Sequence, residues 1–320
     1  MSIDRIATAS QTAYFLTQIE NAGNALDKTQ QQVASGVNAT TYAGFGSQAQ
    51  VLTATLAANA RNDAYTTATN LANTQVSLQD TQLTTLSSLA SQLQKAISEA
   101  VANNDASDLM TQAQSIFSQA SSILNSKDSN GDYIFGGGNV TNPPVTVSSL
   151  SGLAGLGSVS AAFANGSFKT AVQVADGQTV TYGITASDIG TGLMQELQSL
   201  AQFDAGPNGN LNNATSLSSS QSNFLTAAIS TANTAADGLN AATAANGYVA
   251  NRLSDAQTQQ TSMNTLYKGF ASKIQDTNMA QAATQLSLNQ TQLQAALHVT
   301  AGLHQLSLLN YMPASSTSIG

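Results

Sequence analysis

The sequence predicts a mainly α protein: an elongated antiparallel coiled coil of long N- and C-terminal helices with a small central β-containing domain. Three observations predict it. Apolar residues recur at heptad-like spacing towards both ends, and the middle is rich in Gly, Pro and β-branched residues. Charged residues make up only 8% of the 320, against about 25% in an ordinary globular protein. The expected segments are an N-terminal helical segment (1–135), a β-rich outward-facing insert (136–188) and a C-terminal helical segment (189–320) that pairs with the first. Two ends that each carry an unfinished seam are built to pair with each other and with further copies.

Leu16, Ile19, Leu26 and Val33 lie three and seven residues apart, on one helical face. Ser35-Gly36 ends that helix, because Gly readily takes the left-handed conformation after a C-terminus. Residues 37–47 read as a connector. A second, long helix starts near Gln48 and carries Val51, Leu52, Leu56, Leu71, Leu78, Leu86, Leu89, Leu93 and Ile97. Asn103-Asn104-Asp105 breaks it, and Leu109, Ala113, Ile116, Ala120 and Ile123 then alternate steps of four and three.

A turn at Asn130-Gly131 leads into a short apolar strand, Tyr133-Ile134-Phe135, and Pro143-Pro144 begins the insert. Residues 168–174 and 179–184 alternate apolar and polar around Asp176-Gly177, the pattern of a β-hairpin. Ser187 or Asp188 is placed to cap a helix bearing Ile189, Leu193, Leu197 and Leu200. Residues 215–311 return to helix. Phe224, Leu225, Ala228 and Ile229 share one face, and Val249, Leu253, Met263, Leu266, Phe270 and Ile274 follow. Met279, Leu286 and Leu293 repeat every seven residues, and Leu297, Leu303 and Leu306 continue the seam.

The net charge is −8, with nine Lys and Arg and no basic cluster. Phosphate neutralisation dominates nucleic-acid affinity, so neither a nucleic acid nor an anionic membrane surface is an expected partner. The absence of Cys excludes disulfides and thiolate chemistry. Residues 1–20 lack a basic segment followed by an apolar core, so a cleaved secretory signal is not expected. No apolar run approaches the roughly 18 residues of a membrane span.

Little in the sequence nominates chemistry. His298 and His304 are six residues apart and fall on different helical faces, unlike the i,i+4 pair of a zinc helix. Asp128, Asn130 and Asp132 have the spacing of the first three ligands of a calcium loop. However, Gly131 stands at position 4 instead of 6, and Asn139 at position 12 instead of Glu. Gly136-Gly137-Gly138 follows a strand but lacks the Lys-Ser/Thr of a phosphate loop. No Gly-x-Ser-x-Gly elbow occurs. Glu20, Glu99 and Glu196 stand isolated, which nominates no carboxylate pair. Neither catalysis nor a cofactor or metal is expected.

Several segments, in order, resemble the bacterial flagellin family, which includes filament flagellins and hook–filament junction subunits of the hook-associated protein 3 type. Leu26 to Gly36 is similar to the family's L-x-x-x-Q-x-x-L-x-S/T-G helix end. Gly131 to Gly137 followed by Pro143-Pro144 resembles a G-x-Y-x-F-x-G … P-P segment of the junction subunits. Asn246 to Leu253 resembles G-x-x-x-N-R-L/F, and Gln275 to Ala282 resembles I-x-D-x-D-x-A-x-A, with Asn278 in place of the second Asp. Leu306 to Met312 resembles the closing L-S-L-F-N-Y-L of the junction subunits. Tyr42-Ala43-Gly44-Phe45-Gly46 departs from the family's polar connector, and the helix around Leu86 to Leu93 lacks its Arg-rich pattern.

The resemblance implies a structural, motility-supporting subunit of the flagellum, exported unfolded through the flagellar channel and assembled outside the cell. The implied partners are further copies of itself, neighbouring axial proteins, a capping protein and an export chaperone. Leu16, Ile19, Leu26, Val33, Met279, Leu286, Leu293, Leu297, Leu303 and Leu306 are the expected assembly seam. The alternative is a flagellin-like surface protein whose insert, through Phe163, Phe168 or Tyr182, binds a polysaccharide or host surface.

Overall fold

The computed structural model describes residues 2–309, with side chains over residues 10–302. In order these form α1 (Ser2–Ser35), α2 (Ala49–Asn103), α3 (Leu109–Leu124), α4 (Leu150–Ala154), β1 (Ala171–Ala175), β2 (Gln178–Thr181), α5 (Ala186–Ala205), α6 (Ser219–Gln275) and α7 (Met279–Leu309). The fold is mainly α with one small antiparallel sheet, as the sequence predicts. Packing sorts the chain into two units, Met1–Ala60 with Asn264–Gly320 and Arg61–Met263. α2 and α6 contribute residues to both.

The 61–263 unit holds the hydrophobic core. The buried positions of α2 include Thr69, Ala72, Val76, Gln79, Leu83, Leu86, Ala90, Leu93, Ile97 and Ala100, with Leu89 and Ala96 widening the stripe. Their steps of three and four keep a single stripe facing inward. α6 answers with Leu225, Ala228, Ala232, Ala235, Leu239, Asn246, Leu253 and Gln260. The two run antiparallel. Gln260 Nε2 donates to Thr69 Oγ1 at 2.9 Å, and Asn246 Nδ2 donates to the Val76 carbonyl at 3.1 Å and to Asp80 Oδ1 at 3.3 Å. Buried amides at such positions fix helix register, since any slip leaves them unpaired.

α3, α4 and α5 pack into the same core through Phe117, Leu124, Leu153, Leu193, Met194 and Leu197. The expected seam of α3 is buried from Leu109 to Ala120, with Ile123 half-buried. α5 is capped by Thr185, one turn before the expected position. Thr185 Oγ1 accepts from Asp188 N while Asp188 Oδ2 accepts from Thr185 N, a reciprocal capping box. α6 starts with a second such box between Ser218 and Gln221.

The hairpin forms with Val172 opposite Val180 and Gly177 at a positive φ of 71°. Its inner face (Val172, Val174, Val180) packs on Ala72 and Val76 of α2 and on Leu253 of α6. Tyr65 Oη donates to Asp176 Oδ1 at 2.6 Å and pins the turn. Around it, Val145, Leu150, Leu153, Val159 and Ala162 are buried with α2, α3 and α5. Residues 136–188 thus share a core with the helices on either side.

Tyr133-Ile134-Phe135 makes only an isolated bridge, Lys127 to Tyr133, instead of a strand. Phe135 is fully buried and acts as a plug. The glycines after it serve packing. Gly166 N donates to the Gly136 carbonyl at 2.8 Å and Phe168 N to the Gly137 carbonyl at 3.1 Å, so two loops run backbone against backbone. Gly137 has φ 59°, and a Cβ there would sit 2.1 Å from the Gly166 oxygen. Gly137→Ala is expected to destabilise this unit by about 2 kcal/mol or more, from strain and overpacking together. A lowered urea midpoint at unchanged slope would show it.

Candidate assembly surface

α1 and α7 pair antiparallel. Val37 and Asp276 form an antiparallel bridge at one end, and further along, Asn289 of α7 reaches Ala25 and Thr29 of α1. The buried or half-buried positions of α1 include Thr12, Phe15, Ile19, Ala22, Leu26, Thr29 and Val33. Those of α7 include Ala282, Leu286, Asn289, Leu293, Ala296 and Thr300. Both sets step by three and four, so each helix turns one continuous seam towards the other.

Five expected seam residues lie on these stripes: Ile19, Leu26, Val33, Leu286 and Leu293. Leu16, Met279 and Leu297 do not, and are 52%, 48% and 50% exposed. Leu303 and Leu306 lie outside the described side chains. Leu16 is one position beyond the seam residue Phe15, and Leu297 one beyond Ala296. Val51 and Leu71 of α2 are likewise exposed. Each of these sits directly beside an inward position: Phe15, Ala296, Leu52 and Ala72.

The centre of the pair is polar. Asn289 Nδ2 donates to Thr29 Oγ1 at 2.9 Å and to the Ala25 carbonyl at 3.1 Å, while its Oδ1 accepts from Gln285 Nε2 at 2.9 Å. Thr29 and Asn289 are among the few well-buried side chains here, at 5% and 4% exposed. A polar pair at one layer of an otherwise apolar seam sets register and partner.

A second device closes one end. α1 stops at Gly36, whose φ of 73° suits a left-handed cap. Asn38 then reaches into the break between α6 and α7. Its Nδ2 donates to the Ile274 and Asp276 carbonyls at 2.9 and 3.1 Å, and its Oδ1 accepts from Thr277 Oγ1 at 3.2 Å. Backbone bonds from Asn38 N to Gln275 O (2.7 Å) and from Thr277 N to Gly36 O (2.9 Å) complete the clasp. Asn278 Oδ1 accepts from Gln281 N and opens α7.

This unit is poor in core and rich in exposed apolar surface. Among the described residues its buried apolar side chains are Leu52, Ala271 and Ala282. Against these three stand ten large exposed ones: Tyr14, Leu16, Tyr42, Val51, Leu266, Phe270, Met279, Leu288, Leu297 and Val299. On α7, Leu288 and Val299 lie opposite Met279 and Leu297 around the helix. An all-round apolar helix is one that ends up buried.

The remaining sequence candidates have local explanations. Asp128 Oδ1 accepts from the Asn130 and Asp132 amides at 2.8 and 3.1 Å, so it shapes a turn. His298 is exposed on α7, and His304 lies outside the described side chains.

Residues 228–312 match the model of the bacterial flagellin C-terminal helical region. The matched region takes in most of α6 and all of the described part of α7. The fold is similar to that of a protein described as a flagellar hook-associated protein from Vibrio parahaemolyticus. That likeness has a TM-score of 0.59 at 16% identity, covering 71% of this chain and 97% of the other. Bacillus cereus FlgL aligns over 69% of this chain and 98% of its own at 15% identity, with a TM-score of 0.49. No curated protein matches the chain by sequence. The matched flagellin-type region includes the α6–α7 break and Asn289, so the clasp residues on that side lie within the region of similarity.

Asn289→Ala removes two donated bonds and strands the Thr29 side of the layer. It is expected to cost the α1–α7 pair about 1–3 kcal/mol. Amide exchange along α1 and α7 should then quicken while that of α5 is unchanged.

Proposed function

We propose that this chain is a self-assembling structural subunit of the bacterial flagellum, of the hook–filament junction type. The observation that carries the reading is the imbalance in the α1–α7 unit: three buried apolar side chains and ten large exposed ones, flanking a seam that is mostly half-closed. Soluble monomers rarely leave such surface uncovered. Neighbouring copies and adjoining axial proteins supply the missing cover. The flagellin-type C-terminal helices and the hook-associated-like fold support the flagellar setting. The Gly131–Gly137 segment, with Phe135 as a core plug, favours the junction type over a filament flagellin.

In this reading the role is mechanical and non-catalytic, and the subunit acts outside the cell. It travels there unfolded by flagellar export, assisted by a chaperone and placed beneath a capping protein. No described helix is long and apolar enough to cross a membrane. Low charge suits this life, because uncharged faces lose little on desolvation when copies meet.

The test is negative-stain electron microscopy of the full chain under polymerising conditions, beside Leu286→Asp and Leu293→Asp. The wild type is expected to form short rings. Long filaments would instead make it a filament flagellin. Each substitution places a charge in the seam and is expected to abolish assembly, with β1–β2 amide protection retained. Assembly unaffected by both would sink the assignment of this seam.

A further inference from the structure

A groove between α5 and α6, wholly within the 61–263 unit, has no part in the assembly reading. It encloses about 370 Å³ and is lined by Gly192, Glu196, Phe224, Thr231 and Ala235, among others. That is within the size range of small-molecule sites. Its floor carries Glu196, which is only 4% exposed. Glu196 Oε2 accepts from Thr231 Oγ1, and Oε1 has no hydrogen-bond partner among the described residues. A buried acceptor left open is costly and calls for an explanation.

The proton count sharpens this. Thr231 has a single hydroxyl proton and two acceptors in reach, Glu196 Oε2 and the Ala228 carbonyl at 3.1 Å. An ionised Glu196 must compete for that proton. A protonated Glu196 gives its own O–H to Thr231 Oγ1, which then serves Ala228. Burial pushes the Glu196 carboxyl up, against a smaller opposing pull from the Thr231 bond.

Among the described residues no cation lines the groove beside Glu196. α3 and α4 carry no charged residue. On α5, Asp188 pairs with Lys169 at 3.1 Å and Asp204 accepts from Leu211 N at 2.7 Å. On α2, Lys95 and Glu99 form an exposed pair at 3.6 Å. Neither these nor Asp237 of α6 lines the groove. One wall is Phe224, stacked on Phe203 with centroids 3.9 Å apart. A buried carboxyl beside an aromatic face is the pairing that holds organic cations.

We propose that the α5–α6 groove binds a small organic ammonium ion, with the charge on Glu196 and the apolar body against Phe224. Binding releases the carboxyl proton to solvent. The ammonium N–H groups then donate to the carboxylate, which turns about its soft last torsion to present Oε1. Neutral molecules of the same shape lack that exchange and bind more weakly.

The test is titration calorimetry of the full chain with benzylammonium, using benzyl alcohol as the neutral counterpart, in buffers of different ionisation enthalpy. Benzylammonium is expected to bind at least roughly tenfold more tightly than the alcohol. It should also release protons, and bind more tightly as pH rises through the raised Glu196 range. Glu196→Gln keeps the shape and is expected to erase the preference with melting temperature unchanged or raised. Ala235→Leu fills the groove and is expected to abolish binding of both probes while helicity is retained. The proposal is overturned if the folded wild type binds no benzylammonium, binds the alcohol equally well, or is matched by folded Glu196→Gln.

Discussion

Asn289 and Thr29 hold α1 and α7 in register through two hydrogen bonds at the middle of a seam that is otherwise only half-buried. Nearly everything distinctive about the α1–α7 unit depends on that layer. Apolar contact alone specifies register weakly, because a slide of one heptad replaces Leu by Leu. A buried amide cannot slide, since every other register leaves its donors unpaired in a dry place. The polar layer gives up some burial in exchange for one defined pairing. The Asn38 clasp repeats the logic at the end of the pair, where backbone bonds to Gln275 and from Thr277 add to the side-chain contacts.

The same device recurs between α2 and α6, where Thr69 meets Gln260 and Asn246 meets Val76 and Asp80. There the surroundings differ. The 61–263 unit closes a full core of Leu, Ile, Val and Phe from several helices and the hairpin. The α1–α7 unit has register without a core. Ordering a backbone costs about 1–2 kcal/mol per residue, and a half-buried seam recovers only part of the burial that offsets it. Specified pairing with incomplete burial fits an element whose ordering is completed by neighbours.

Helix existence and class were legible because seven-residue repeats persist over long stretches. The exact inward face was less so. Leu16, Met279, Leu297, Val51 and Leu71 attract attention as apolar residues yet are exposed, whereas the polar Thr29, Thr69, Gln79, Asn246, Gln260 and Asn289 are buried in the stripes. In an ordinary helix the largest apolar residues mark the core. Where polar residues hold positions in the stripe, apolar ones beside it are left for another surface. The signal that finds the true stripe is the uninterrupted three–four rhythm over the whole helix, polar members included. The caps at Thr185 and Ser218 were also within reach, since each has its capping-box partner three residues on. The groove at Glu196 was not, because a lone glutamate says nothing until α6 brings Thr231 to it.

The abundance of Thr and Ser now has a physical sense beyond solubility. Along the helices their hydroxyls donate back to the carbonyl four residues earlier, as Thr17 does to Ala13, Thr53 to Ala49, Thr284 to Ala280 and Thr291 to Ser287. Such bonds are neutral to slightly unfavourable for an isolated helix. Their consequence appears when the surface is covered. A hydroxyl already bonded to its own helix carries no unpaired donor into an interface, and its methyl or methylene turns outward. Lys or Glu in those places would have to be desolvated and paired. The helices can therefore be wetted as single chains and dried as packed ones with little electrostatic penalty either way. That tolerance is what a subunit needs if it travels alone and ends its journey surrounded by copies of itself.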